Sequence, residues 1–477
     1  MRWRLLTPCP TIYSLIHSNR PLTTDRHSEQ LLDLLRQGGP LASAALQAAL
    51  RVSQPTVSRL LADLGDQVAR IGRARATRYA LVRSIGRDGS RWPLYRIDPA
   101  GRPHRLGELR ALHGGGFHLL AGRPWPALLH GEFASGLFPG LPWFLDDQRP
   151  QGFLGRIWAG RIAPLIGAPD DPRAWGEDDV ILALLREGHD PPGDLVLGEV
   201  ALRRALDSSM PALREDEREP CYPVLADAVL RGEPAGSSAA GEQPKFTTTL
   251  ATAEGARPAI VKFSEAGAGA TARRWADLLC CEHLAGETLR AQGVPAAPSA
   301  LIDAAGRRFL ESARFDRTPA GGRIGFVSLA AVDAAFHGHG RIDWWRYADQ
   351  LHSEGWLDAT DARRLRVLGW FGALIGNHDM HLGNAGLHLA ERLPLRLAPA
   401  YDMLPMRFCP TATGEVVERV FRIPAPLPEY LADWRAAAAM ALAFWQRTAE
   451  DQRISDPFRR MAAAATAETD HALRRYD

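Results

Sequence analysis

Lysine is almost missing from this chain. Of the 57 lysine and arginine residues among 477 positions, only Lys245 and Lys262 are lysine. A GC-rich genome that writes arginine wherever either cation serves explains the scarcity, and leaves two places where lysine persists. Cysteine is scarce too: Cys9, Cys221, Cys280, Cys281 and Cys409, without a C-x-x-C pair. Adjacent Cys280 and Cys281 are poorly placed to share a structural zinc. The low, odd count excludes a disulfide framework and fits a reducing cytoplasm. No apolar run approaches the roughly 18–20 residues that span a bilayer, so no membrane partner is expected. A net charge of +2 argues against a chain that coats nucleic acid along its whole length. What is present is 46% hydrophobic and 23% charged residues. That composition suits a globular protein of roughly three domains and excludes disordered or collagen-like classes.

The opening stretch, MRWRLLTPCPTIYSLIHSNRP, is basic and then mildly apolar, and Pro8 and Pro10 interrupt any signal-peptide core. Residues 1–25 read as a tail. SEQLLDLLR (28–36) reads as a helix capped by Ser28, stopped by Gly38-Gly39-Pro40. LASAALQAAL (41–50) reads as a second helix. A third, capped by Ser53 with Pro55 in its first turn, runs to about Leu64. VARIGRARATRYALV then alternates as a hairpin carrying Arg70, Arg73, Arg75 and Arg78 at or near its tip.

Three short helices and a basic hairpin predict a winged helix-turn-helix over residues 26–90. Residues 1–90 carry 13 Arg against 6 Asp and Glu, so this end is basic within a nearly neutral chain. Gln54, Thr56, Ser58 and Arg59 on the third helix, with Arg73, Arg75 and Arg78 on the wing, are the candidates for double-stranded DNA. The competing reading is a small helical protein-interaction domain with incidental arginines.

Residues 91–200 are rich in Gly, Pro and Trp, with strand-like pieces such as PLYRID and DLVLGEVAL, and read as an α+β subdomain. FLDDQRPQGFLGR (144–156) is distinctive, and its charges read as surface or interdomain contacts. MPALREDEREP (210–220) reads as a solvated linker or helix face.

The strongest chemical constellation is GNHDMHLGNAG (376–386), delivered by the helical stretch ARRLRVLGWFGALI and followed by LHL and LRLAP as a strand pair. In phosphoryl transfer, a loop Asp orients the substrate hydroxyl and an Asn five positions on binds magnesium. Asp379 and Asn384 have that spacing. Asp402, 18 residues after Asn384, stands where such sites hold their principal Mg²⁺, which prefers oxygen ligands and completes its shell with phosphate and water. Two readings compete: a transition-metal site from His378, Asp379 and His381, and a merely polar turn.

A nucleotide site also needs positive charge, and the two lysines supply it. SSAAGEQPKFTTTL (237–250) is a small-residue loop running into a strand. It has neither a G-x-G-x-x-G nor a Walker A pattern, but Gly241 lets backbone N–H groups approach phosphate. Lys262 is centred on the alternating strand PAIVKF, where a buried cation needs a partner. Glu282, in the helix ADLLCCEHLAGETL, is the candidate, with Glu287 and Asp277 as rivals. RFLESARFDR (308–317) reads as a strand entering a hinge, with Asp316 and Arg317 bracing two lobes.

SSAAGEQPKF, AIVKF, ARFDR, GNHDMHLGN and APAYDML together resemble the HipA family of serine/threonine kinases, toxins of toxin–antitoxin modules, over about residues 140–460. The amino-terminal helices resemble its YjjJ branch. The resemblance implies an α+β, two-lobed protein-kinase-like fold. Residues 91–200 would precede the lobes, with 201–315 as N-lobe and 316–477 as helical C-lobe. It implies ATP and Mg²⁺ as cofactors. Asp379 would be the catalytic base, Lys262 the ATP lysine, and His381 a catalytic-loop histidine. Asn384 and Asp402 would be magnesium ligands, with Tyr401 beside them.

The resemblance further implies a phosphate loop of Ala240, Gly241, Glu242, Gln243, Pro244 and Lys245. Ala313, Arg314 and Phe315 would form the adenine hinge, and Ser238, beside Ser237, the autophosphorylated serine. Pro244, Phe246 and Ala313 differ from residues common in the family. The expected activity is transfer of phosphate from ATP to a Ser or Thr hydroxyl of a protein substrate by a cytoplasmic toxin and autoregulator. Such a chain could dispense with a separate antitoxin and could pair with a second copy of itself. The rivals are a small-molecule phosphotransferase and a DNA-binding regulator whose kinase fold only senses nucleotide.

Overall fold

The computed structural model describes residues 22–207, 211–233 and 241–476. Residues 1–21 of the expected tail, and Ser237, Ser238 and Ala240, lie outside the described residues. The described chain divides into two compact units. One runs to Arg83 and includes 112–115; the other comprises 84–111 and the residues from Gly116 onward.

The first unit contains α1 (Leu22–Gly38), β1 (Leu41–Ala42), α2 (Ser43–Leu50), α3 (Gln54–Leu64), β2 (Val68–Ile71) and β3 (Arg78–Leu81). Its strands form an antiparallel sheet in the order β1-β3-β2. Leu31, Leu35, Leu46 and Val57 make its core, at the helical spacing that defines the inner faces of α1 to α3. Two local expectations are corrected. Ser28 is not a cap, because α1 continues back through it to Leu22; an interior serine costs a helix only a few tenths of a kcal/mol. Leu41 and Ala42 are strand, because pairing with Tyr79 and Arg78 satisfies their backbone before α2 begins.

The second unit opens with a five-stranded antiparallel sheet. It is built from β4 (Arg91–Ile97), β5 (Pro103–Ala111), β6 (Phe117–Ala121), β7 (Leu137–Phe138) and, later, β8 (Leu195–Leu197), in the order β7-β6-β5-β4-β8. Between β7 and β8 lie α4 (Gly152–Ile166) and α5 (Glu177–Glu187). The expected strand over 194–202 stops early: Gly198, at φ +86°, breaks it and Glu199 begins α6 (Glu199–Asp207).

After α7 (Arg218–Leu230), a four-stranded antiparallel sheet follows, with β9 (Lys245–Thr252), β10 (Gly255–Phe263), β11 (Ser299–Ala304) and β12 (Arg307–Ala313) in the order β11-β12-β10-β9. The helix α8 (Ala270–Ala291) separates β10 from β11. The remainder is mainly helical: α9 (Leu329–Phe336), α10 (Trp344–Ser353), α11 (Ala359–Leu374), α12 (Leu431–Glu450) and α13 (Asp456–Arg475). Fully buried Trp356, Trp434 and Trp445 anchor this part. A small sheet of β13 (Val327–Ser328), β14 (Gly386–His388) and β15 (Arg396–Leu397) follows and flanks the 376–386 loop, with Leu387 opposite Leu397 as the strand-pair expectation has it. No described helix is long and apolar enough to cross a membrane.

Candidate active site

The antiparallel register of β9 and β10 places Lys245 directly opposite Lys262. Strand alternation puts both on one face, while Phe246, Val261 and Phe263 turn to the other. There they pack with Phe309 and with Tyr222 of α7. Two ammonium groups facing each other across a ladder repel unless anions intervene. The anions are present. Lys262 Nζ donates to both carboxylate oxygens of Glu282, at 2.6 and 2.8 Å, and to Asp402 Oδ1. Of the three acids on α8, Glu282 is the one that reaches Lys262, and helix geometry says why. Residues five positions away on α8 point about 140° round the axis. Asp277 accepts Ser455 N and Oγ, at 2.8 and 2.6 Å, and Glu287 pairs with Arg447.

The charges in this knot are mutually set. Burial opposes ionisation of Asp402, but Lys262 and Lys245 outweigh it and hold the carboxyl below its ordinary range. Burial works against Lys262 as well, and Asp402 and Glu282 overcome it, so this ammonium stays above its ordinary value. For Lys245 burial wins over Asp402 and pushes the amine down to about 8. Asp402 occupies the left-handed region at φ +52°, a conformation that costs a non-glycine residue free energy and is held by its surroundings. Gly241 arches over Lys245 at φ +99°; a Cβ there would stand 2.8 Å from Lys245 Nζ and 3.8 Å from Asp402 Oδ2. The loop backbone therefore lies directly on the lysine and beside the carboxylate.

α11 delivers the chain into the second half of the site. Asp379 N donates to Asn377 Oδ1 at 3.1 Å, an Asx turn that leaves the exposed Asp379 carboxylate facing the cleft. Asn384 Nδ2 donates to the Asp379 carbonyl at 2.7 Å, closing the loop and leaving its Oδ1 as the atom with metal-ligand chemistry. Gly383 N donates to His381 Nδ1 at 3.1 Å, which assigns the proton of the neutral ring to Nε2. Tyr401 OH donates to Gly383 O at 2.8 Å, tying the loop to the segment that carries Asp402. The donor pair of one carboxylate and one amide oxygen fits magnesium, with phosphate and water completing the shell. Among the described residues no cluster of His, Cys, Asp and Glu could hold a metal by itself, which leaves the His378–Asp379–His381 reading without support.

These groups line one cleft of about 1420 Å³, together with Gly241, Glu242, Gln243, Pro244 and Lys245 and with Ala313, Arg314 and Phe315. The hinge differs from expectation in its hydrogen bonding. Ala313 N and Arg314 N already donate to the carbonyls of Pro298 and Pro258, at 2.8 and 2.9 Å, so those two amides are spent on β-structure. The Arg314 guanidinium is buried between Asp190 and Asp316. Phe315 stacks on Tyr401, ring centres 5.6 Å apart, and gives the cleft an aromatic wall. Asp316 accepts from Gly193 N at 2.9 Å and from Arg317, so this pair braces the site on the preceding subdomain. Sequence reasoning missed Asn377, legible as an Asn two residues before the loop Asp. It also missed Gly152 and Arg156, which line the cleft and which no motif announces.

The other candidates lie in the first unit. Gln54, Ser58 and Arg59 are exposed on α3, and Thr56 is half-buried with its Oγ1 3.0 Å from Ser53 Oγ. Arg70, Arg73, Arg75 and Arg78 are exposed along the β2–β3 hairpin.

Residues 88–206 match the YjjJ-like toxin middle domain, and residues 237–473 match the HipA-like C-terminal domain. The chain is 38% identical over 435 residues to Toxin YjjJ of Escherichia coli, an alignment covering 91% of this chain and 95% of that protein. Among solved structures, it is similar to the HipA, HipB and operator DNA complex of Shewanella oneidensis, with a TM-score of 0.46 at 14% identity over 80% of this chain and 97% of that one. It is also similar to the proinflammatory kinase CtkA of Helicobacter pylori, with a TM-score of 0.35 at 12% identity over 51% and 94% of the two chains.

Proposed function

The chain belongs to the YjjJ family of HipA-like toxins, and from that premise we propose that it is an ATP- and Mg²⁺-dependent serine/threonine protein kinase joined to a DNA-binding domain. One observation carries the catalytic reading. Lys262 paired with Glu282, Asp402 beside it, and Asp379 and Asn384 on one loop all line a single cleft, though they are distributed over 141 positions of sequence (262–402). Asp379 is suited to orient the acceptor hydroxyl and take its proton as the new P–O bond forms and the bond to the ADP oxygen breaks. Lys262 and Lys245 are suited to bind the nucleotide phosphates, and Gly241, Glu242 and Gln243 to cover them with backbone N–H groups. Phe315 and Tyr401 offer an apolar wall for the base. Asn384 Oδ1 and Asp402 would hold magnesium, whose charge neutralises that of the phosphates.

The first unit supports the second half of the reading. Its helix–strand–helix–helix–hairpin order leaves the outer face of α3 polar and exposed and the hairpin lined with arginines, the surface a winged helix offers to DNA. The test is mass spectrometry of phosphosites after incubating the full chain with Mg-ATP and cell lysate, beside an Asp379→Asn variant. New Ser or Thr phosphorylation is expected with the parent, absent with the variant, while nucleotide binding persists in both. Equal phosphorylation by the variant refutes the role of Asp379. Turnover with small hydroxyl compounds alone supports the small-molecule alternative. Promoter binding without turnover supports a nucleotide-sensing regulator.

A further inference from the structure

By sequence, FLDDQRPQGFLGR (144–156) is a stretch of surface or interdomain charge. The first of its two glycines, Gly152, does something else. Gly152 begins α4 at φ +66°, and a Cβ on it would stand 2.5 Å from Gly241 N, 2.6 Å from Gly241 O and 2.9 Å from Gly241 C. Backbone lies against backbone, with no room for any side chain. The next residue makes the contact a bond: Phe153 N donates to Gly241 O at 2.9 Å. One turn on, Arg156 Nη1 meets Glu242 Oε2 at 2.6 Å. Below this contact Leu154, with Phe153 and Ile157 beside it, packs into the same apolar cluster as Phe246 and Val261, so α4 is anchored to the strands that carry the two lysines. Gly152 and Phe153 lie in the segment matching the YjjJ-like middle domain, and Gly241 in the HipA-like domain.

We propose that the first turn of α4 is a latch that seats the phosphate loop, so that Gly152 and Phe153 are positioning residues for nucleotide binding. The physical basis is simple. Gly241 sits at φ +99° with open conformational freedom, and an isolated glycine-led loop loses that freedom on ordering. The Phe153 N–H and the flat face of Gly152 hold Gly241 over Lys245 before a phosphate arrives. The Arg156–Glu242 pair is largely exposed and adds orientation rather than much stability. The middle domain thereby sets how strongly the cleft holds nucleotide. This rests on the nucleotide reading of the cleft for its consequence, but not for the latch itself.

The experiment uses the full chain and Gly152→Ala, with Gly160→Ala on the same helix as control, since a Cβ at Gly160 meets nothing within 4 Å. Hydrogen–deuterium exchange of the peptide spanning 241–246 is measured without nucleotide, and binding of a fluorescent ATP analogue with magnesium is titrated. The expectation is faster exchange over 241–246 in Gly152→Ala and at least tenfold weaker analogue binding, with KM for ATP raised more than kcat is lowered. Gly160→Ala should match the parent in both. Parent-like exchange and affinity in Gly152→Ala overturn the latch. If the parent itself binds no analogue, the nucleotide reading fails while the exchange arm still decides the latch. Arg156→Glu, an exposed change that leaves α4 intact, provides the second variant should Gly152→Ala not fold: it sets a carboxylate against Glu242, and that repulsion beside the Phe153 bond should speed exchange over 241–246, so unchanged exchange there also counts against the proposal.

Discussion

Replacing Lys262 by Met tests the charge knot more directly than any activity assay. Lys262 is 6% exposed, and its ammonium lies 2.6 and 2.8 Å from the two Glu282 oxygens, with Asp402 also in contact. At an effective dielectric constant near 20, one such contact is worth about 6 kcal/mol of Coulomb attraction before desolvation is subtracted. Methionine fills the stem but leaves two buried carboxylates facing each other, so the cost should be that of breaking a buried pair from one side, about 3–5 kcal/mol. In a domain of this size that lowers Tm on the order of 10 °C.

The sign with pH is the sharper test. In the parent, the folded pKa of Asp402 is depressed, so its stabilisation is present above the unfolded value near 4 and is lost as pH falls below it. Burial already holds the Glu282 carboxyl above its ordinary range in the parent; without Lys262 it raises Asp402 as well and Glu282 further. Their penalty is then absent near pH 4 and grows as pH rises. The deficit of Lys262→Met should therefore be largest at pH 8 and shrink to less than half by pH 5, measured calorimetrically without nucleotide. Adding Glu282→Gln should recover part of the loss, because it removes one of the stranded charges. A deficit that is equal at both pH values, or larger at pH 5, would refute the reasoning.

Two further outcomes concern Lys245 and the arginines of the first unit. Lys245, pushed down to about 8, binds phosphate best when protonated. Affinity for an ATP analogue should be full below pH 8 and decline as pH rises through it; Lys245→Met should bind more weakly and without that decline, read by titration between pH 6.5 and 9.5. In the first unit, Arg73 and Arg75 are exposed at the hairpin tip. If each meets one DNA phosphate, the Arg73→Ala/Arg75→Ala variant should flatten the slope of log K against log salt by about 2, and an unchanged slope would remove the hairpin from the interface.

Much of the site was legible before the fold was known, because its chemistry is written in short segments. The five-residue offset of Asp379 and Asn384 keeps them within one short segment in any fold, and the two lysines stood out because arginine had replaced the rest. Local pattern also marked α11 and α3, and the apolar spacing of α3 agrees with its buried Val57, Leu60 and Leu61. Three things required tertiary structure. The partner of Lys262 was open among three acids on one helix, and only the direction in which α8 packs selected Glu282. The expected hinge amides of Ala313 and Arg314 turned out to be spent on Pro298 and Pro258, a result of sheet register that residue types do not encode.

The position of Gly152 against Gly241 joins segments 89 residues apart, a contact set by how α4 lies on β9. The amino-acid sequence by itself determined which groups are available for phosphate, metal and proton. The tertiary structure decided which of them meet, because burial and charge balance act only once distant segments share a cleft. The two lysines show both sides of this: composition singled them out, and the β9–β10 register set them face to face, where two carboxylates make their closeness tolerable.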